Sequence, residues 1–328
     1  MRQAKTLFDK TRIGSLELKN RFVRAAVADK TQDGRVDETA IENYLALARG
    51  GVGTIVTGCT LVSEEERRMP IVSLGSDEYI GSHEILTTAA HEYDVNLILQ
   101  LVYVGSYTPI GWESGGPVGI APSSVANRIT NTPAREMRLT EIKSVQIRFA
   151  DAALRAKKAG YDGVEIHAAH GFLLSQFLTP YYNRRTDSYG GSVKNRARML
   201  LETVETVRDT VGEDFGVWVK INTTDGIEEG ISPDHCRYVC RELTALGVDA
   251  IEASGNWLPL ATRSAVYFKD AAAVIAEEND VPVILTGGCR DYDEMTAILN
   301  ETEIGYFGIA RPLMKNPNLI NDFARERL

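Results

Sequence analysis

Eight short apolar runs, several of them rich in β-branched residues, alternate along the chain with longer segments of helical period. This alternation narrows the fold more than any other feature of the sequence. The strand-like runs are Phe22–Val27, Thr54–Thr57, Asn96–Leu101, Gly163–His167, Val217–Asn222, Ala250–Ala253, Pro282–Thr286 and Gly305–Ile309. Several lack strict apolar–polar alternation, as expected of strands buried on both faces of a parallel sheet. Between them, helical periodicity predicts Glu38–Arg49, Tyr79–Tyr93, Thr140–Ala159, Asn195–Val211, Pro233–Leu246, Lys269–Glu278 and Asp291–Leu299. Ser232 followed by Pro233 reads as an N-cap with proline at the first helical position. Such a series suits a (β/α)8 barrel or a doubly wound open sheet. IGSLELKN, ahead of the first strand, reads as a hairpin able to close the barrel bottom.

No linker composition or short-period repeat divides the 328 residues, so a single domain over 1–328 is expected. The formal net charge is −9 and no basic run tracks a phosphate backbone, which argues against nucleic acid and anionic membranes as partners. No stretch of 18 apolar residues is present and the first residues lack a signal-peptide core, so a cytoplasmic protein is expected. The four cysteines form no C-x-x-C, which leaves a structural zinc or a cysteine-ligated cluster without support. Cys236 and Cys240, on one helical face, read as core. Oligomeric state is not legible; a homo-oligomer is left open.

In barrels of this kind, active groups gather at the C-terminal ends of the strands. Two of those ends suit a phosphate. PVILTGGCR closes the seventh strand with Gly287 and Gly288, and IGYFGIARPL closes the eighth with Ala310 and Arg311. Paired glycines let backbone N–H groups approach an anion, and arginine offers a fork matched to phosphate. Gly50, Gly51 and Gly53 precede their strand and read as a helix cap and turn instead. The Gly- and Pro-rich connection from Val102 to Arg138 is long enough for a lid or binding loop.

The fourth strand carries Glu165 and His167 toward its end, and His170 follows in the turn. Two converging imidazoles could bind a metal, though His-x-x-His here is not the helical pair of zinc enzymes and no third ligand is evident. Equally, both rings could donate hydrogen bonds to a substrate oxygen on which charge develops.

The block GVEIHAAHGFLLSQFLTPYYNRRTDSYGG, taken with LKNRFVRAA, LILQL, VKIN, ASG, TGG and GIARPL in this order, resembles the Old Yellow Enzyme family of FMN-dependent ene-reductases. The likeness extends along nearly the whole chain, chiefly to short bacterial members and the reductase half of dienoyl-CoA reductases. It implies an FMN-binding barrel reduced by NAD(P)H and acting on a small-molecule activated alkene. It further implies that Ala25, Ala26 and Val27 pass beside the isoalloxazine, that Gly58 leaves room for it, and that Gln100 meets its pyrimidine edge. Lys220 would stabilise negative charge near N1 and O2. Ser254 and Gly255 would lie near the ribityl chain, and Gly287, Gly288, Ala310 and Arg311 would hold the phosphate. His167 and His170 would hold the substrate carbonyl.

Three departures stand out. Phe172 occupies the place of the usual proton-donating tyrosine. Ala28 and Lys30 stand where short bacterial members commonly carry cysteine and tyrosine. Tyr103 replaces a frequent histidine, which makes solvent, Tyr103 or Lys30 the candidate proton sources. The alternatives are a flavin-binding protein with little ene-reductase activity, a dihydrouridine synthase (which the acidic charge disfavours), or an aldolase-type barrel using Lys220 as a Schiff-base lysine. Arg184, Arg185, Asp187 and Tyr189 read as a turn held by ion pairs.

Overall fold

Every second residue of a strand faces the same side, so eight parallel strands closed into a ring must each deliver alternate side chains to one interior. The computed structural model describes residues 4–66, 69–107, 119–128, 130–255 and 266–327. Barrel strands are numbered β1 Phe22–Arg24, β2 Thr54–Val56, β3 Asn96–Val102, β4 Gly163–Ala168, β5 Gly216–Asn222, β6 Ala250–Ser254, β7 Val283–Thr286 and β8 Tyr306–Ile309. Each pairs in parallel with the next, and β8 pairs with β1 through Gly308↔Val23, closing the barrel. This is the (β/α)8 architecture expected from the alternation. The first strand ends three residues before its predicted limit, releasing Ala25–Val27 into the loop. Thr60–Leu61 rejoins the end of β3 after the break at Gly58.

The helices follow the predicted pattern closely. The first, α1, covers Glu38–Arg49, with the Asp37 side chain capping the Ala40 N–H at 2.8 Å. Gly50 caps its other end, and the next residue, Gly51, takes φ +94°, so this cluster is the turn that was expected. At Pro233–Ala245, the Ser232 side chain accepts from the His235 N–H, again as predicted. The short helices Leu173–Leu178 and Leu319–Arg327 carry no periodic signal strong enough to predict them. Within the long connection after β3, Gly119–Ala121 pairs in parallel with Ala134–Glu136, and residues 108–118 lie outside the described residues.

Reading inward-facing positions from bottom to top shows what the barrel positions. On β5 they are Trp218, Lys220 and Asn222; on β6, Ala250, Glu252 and Ser254; on β3, Ile98, Gln100 and Val102. On β4, Glu165 and His167 face in, while Val164 and Ile166 join the outer core. The bottom layer is apolar. Val23, Val56, Ile98, Trp218, Ile284 and Tyr306 form one buried cluster with Ile13 and Leu18 of the antiparallel hairpin Thr11–Ile13/Leu16–Leu18. The hairpin therefore plugs the barrel floor, and Tyr306 ties to it by donating its hydroxyl to the Arg12 carbonyl at 3.1 Å.

Truncating the largest side chain of that plug should show how much it contributes. Trp218→Ala, fully buried in the wild type, is expected to cost about 3–5 kcal/mol through lost burial and the cavity left behind. The measurement is the shift in urea midpoint.

Candidate active site

Above the apolar floor lies a polar layer with little access to water. The Lys220 ammonium sits 2.6 Å from Glu252 Oε1, with 4% and 0% of the two side chains exposed. Gln100 donates its amide to Glu165 Oε1 at 2.6 Å, also fully inside. The register that pairs Lys220 with Glu252, and Gln100 with Glu165, is set by the ladders between β5 and β6 and between β3 and β4. Burial opposes ionisation of both carboxyls. For Glu165 it wins, and the neighbouring Glu252 charge adds to it, so Glu165 is pushed well above the usual carboxylate range. For Glu252, burial is the largest effect, but the Lys220 charge together with hydrogen bonds from Glu165, Lys220 and Thr286 overcomes it and holds the carboxyl below that range. Burial likewise disfavours the lysine's charge, but Glu252 and Glu165 more than compensate, so Lys220 stays an ammonium. An ammonium has no lone pair for carbonyl addition, which removes the basis for a Schiff-base aldolase.

One layer higher, His167 and His170 meet with ring centroids 5.1 Å apart and planes at 90°. His170 sits in the turn at φ +59°, a left-handed conformation rare for a residue with a side chain. Asn222 Oδ1 holds that turn by accepting from the His170 N–H at 3.2 Å, and the Ser254 hydroxyl meets His170 Nε2 at 3.0 Å. Ser254 thus serves the imidazole. His167 Nδ1 accepts from the Ala169 N–H at 3.3 Å, which places the ring proton on Nε2. Both rings are neutral: desolvation, followed by the neighbouring positive charges, lowers His167 well below its ordinary value and His170 to about 3.

Phe172 packs its ring 4.9 Å from His167, and Tyr107 lies tilted against Phe172 with ring centroids 5.1 Å apart. Together with Cys59, Met69 and Ile71 they make an apolar wall beside the histidine pair. Tyr103, expected as a candidate proton source, lies just past the end of β3 and packs with the outer core, its hydroxyl 3.4 Å from Glu65. Lys30 is exposed and bridges Ile71 by its backbone.

On the opposite side of the mouth, a cavity of about 490 Å³ opens at the ends of β7 and β8, lined by Tyr267, Gly287, Gly288, Ala310, Arg311 and Lys315. Gly287 at φ +129° and Gly288 at φ +93° adopt backbone that L-residues avoid, so the cradle depends on glycine there. A Cβ on Gly255 would lie 2.4 Å from the Phe268 ring. A Cβ on Gly58 would likewise sit 2.6 Å from the Val27 carbonyl, so that glycine lets the Ala25–Val27 loop approach β2. Ala25 is anchored by its N–H to the Ile309 carbonyl at 3.1 Å. Ala310 opens the short helix Arg311–Lys315, and Arg311 stands exposed at the cavity rim.

The turn after the histidines is structural. Arg185 pairs with Asp187 at 2.6 Å and donates to the carbonyls of Pro122 and Met137 at 2.9 and 2.7 Å. Arg184 pairs with Glu229 at 2.5 Å. Cys236 and Cys240 lie buried 3.8 Å apart in the core. Among the described residues, no cluster of three or more His, Cys, Asp or Glu could hold a metal, and no helix is long and apolar enough to cross a membrane.

A glycine cradle with an arginine at one side of the mouth, and a glutamine–lysine edge at the other, matches the two polar ends of a flavin mononucleotide. A family profile described as NADH:flavin oxidoreductase / NADH oxidase matches residues 6–327. This chain belongs to that family. It is 32% identical over 323 residues to a NADH oxidase of Thermoanaerobacter brockii, covering 95% of this chain and 49% of the relative. It is 33% identical over 341 residues to a NADH-dependent flavin oxidoreductase of Hypocrea jecorina, covering 93% and 85%. Among solved structures it superposes on an old yellow enzyme homologue from Zymomonas mobilis with TM-score 0.85 at 25% identity, covering 99% and 94%. The chain spans about half the length of the first of these relatives. Membership agrees with the expected Old Yellow Enzyme resemblance, with FMN as cofactor and with NAD(P)H as reductant.

Sequence reading missed Glu252 and Tyr107. Glu252 is the direct register partner of Lys220 on the neighbouring strand, a relation only the strand pairing reveals.

The neutral histidines give the fold a definite acid response. A buried histidine with a depressed native pKa supplies stability that is present above its unfolded value of about 6.5 and is lost as pH falls from there toward the native value. His83, buried and brought down to about 4 by desolvation, and His170 both act this way. Urea midpoints should therefore fall progressively below about pH 6.5, and His83→Gln should flatten that fall.

Proposed function

We propose that the chain is an FMN-dependent NAD(P)H oxidoreductase that reduces the activated C=C bond of small α,β-unsaturated carbonyl compounds. The carrying observation is the perpendicular, neutral His167–His170 pair, held at the barrel mouth over the Lys220 layer. When bound, FMN would supply ping-pong hydride transfer, taking hydride from NAD(P)H at N5 and giving it to the alkene β-carbon.

The chain's own residues divide the remaining work. His167 presents Nε2–H, because its Nδ1 is occupied as an acceptor. If the Ser254 hydroxyl donates to His170 Nε2, the second ring presents Nδ1–H. Two neutral donors aimed at one carbonyl oxygen stabilise the negative charge that develops there without a proton having to be lost first. Lys220 and Gln100 would meet the pyrimidine edge, and Gly287, Gly288, Ala310 and Arg311 the phosphate. The apolar wall of Phe172, Tyr107 and Met69 suits an unsaturated hydrocarbon body beside the carbonyl.

Phe172 supports a second reading, a flavin-binding protein with little alkene-reductase activity, since its ring cannot protonate the α-carbon. With Tyr103 packed in the outer core, solvent is the proton source in the first reading.

Purified protein should be yellow and should bleach on addition of NAD(P)H; a colourless preparation that takes up no FMN overturns the reading. His167→Ala and His170→Ala should each lower turnover of cyclohexenone by ~100-fold or more. Phe172→Tyr should raise it, and no gain with FMN still bound would favour the second reading.

A further inference from the structure

Two buried carboxyl groups share one layer with Lys220, and only Glu252 contacts the ammonium directly. Glu252 takes the ammonium at 2.6 Å through Oε1, and Glu165 takes the Gln100 amide at 2.6 Å through Oε1. Their remaining oxygens, Glu165 Oε2 and Glu252 Oε2, have no N–H or O–H partner in hydrogen-bonding geometry. The two side chains are nevertheless within hydrogen-bond reach of each other. Two carboxylates cannot hydrogen-bond unless one of them carries a proton, and like charges so close in a dry interior resist joint ionisation. The other charged or titratable side chains felt by this layer are Arg24, which acts on Lys220 and Glu252, the buried thiols of Cys59 and Cys289, and the two imidazoles, which are neutral.

We propose that Glu165 and Glu252 act as a charge-holding pair for Lys220, keeping one proton and one negative charge between them, so that the lysine layer is close to neutral and a flavin bound on it is harder to reduce than the lysine alone would make it. The consequence for flavin rests on the proposed FMN site; the shared proton does not. Neither carboxyl is a catalytic residue. Both are positioning residues that set how much of the Lys220 charge is left to stabilise a reduced, negatively charged ring. Glu165 has a further effect. By accepting from the Gln100 side-chain amide at 2.6 Å it fixes how that amide is turned.

The test is the midpoint potential of the FMN-loaded protein, read by spectroelectrochemical titration. Glu165→Gln/Glu252→Gln removes the charge and is expected to favour the reduced flavin by at least tenfold in the equilibrium constant, about 30 mV for a two-electron couple. Glu165→Gln alone replaces an uncharged acid by an amide of the same shape, and its equilibrium constant is expected to stay within about threefold of wild type. A tenfold change in Glu165→Gln, or none in the double variant, overturns the proposal. Because the double variant strands an ammonium in the interior and can fail to fold, a second readout uses the flavin-free protein. Its infrared spectrum should show a protonated-carboxyl band that Glu165→Gln abolishes, and absence of that band from wild type overturns the shared proton. Failure to bind FMN would count against the proposed function while leaving the infrared result decisive for the pair.

Discussion

Closure of the parallel sheet on itself fixes this molecule's chemistry, because it forces alternate residues of every strand into one narrow interior. Bottom positions can be filled with hydrocarbon and sealed by the hairpin, as Trp218, Ile98 and Ile284 are with Ile13 and Leu18. The next positions up, on four neighbouring strands, are Gln100, Glu165, Lys220 and Glu252. Taking a single ammonium out of water costs several kcal/mol, and a buried charge is tolerated only with partners in good geometry. The Lys220–Glu252 contact is therefore a condition for the lysine's presence, and the register between β5 and β6 is what satisfies it.

The same layering explains why the mouth is reactive while the floor is inert. The inward columns of β5 and β6 run from apolar through charged to hydrogen-bonding, as Trp218–Lys220–Asn222 and Ala250–Glu252–Ser254. Asn222 and Ser254 then appear at the height of the His170 turn and hold it from two sides. Desolvation by this packing is the main reason the two imidazoles stay neutral, which leaves each with one N–H donor and one acceptor nitrogen. The cavity at the ends of β7 and β8 occupies the other half of the ring, where Gly287 and Gly288 follow β7 and leave backbone instead of side chains at its surface.

Much of this architecture is legible in the sequence. The eight strands, the seven long helices, the plug hairpin, the Ser232 cap and the turn held by Arg185 and Asp187 follow from periodicity and local chemistry, which act over a few residues. Boundaries move where tertiary contacts decide: Ala25–Val27 leaves the first strand because it is shaped by its contact with Gly58 and Ile309 rather than by its own propensity. Tyr103 escapes such reading because a residue just past a strand end has no local signal for the side it will face. Ser254, Gly255 and Gly58 also make contacts no local pattern foretells: Ser254 with His170, and Gly255 and Gly58 in close approach to Phe268 and the Val27 carbonyl.

The sequence alone determined the class of the molecule: the alternation narrows it to a barrel or a doubly wound sheet, strand ends collect the polar residues, and the ordered motifs carry the family resemblance that implies the barrel. Which of those polar residues meet, and in what charge state, was decided only by closure. Glu252 and Glu165 are separated by 87 positions along the chain, yet share one layer with Lys220 because β4, β5 and β6 stand side by side. No local pattern encodes that meeting, since it depends on the shear and register of strands whose pairing is fixed by the barrel as a whole.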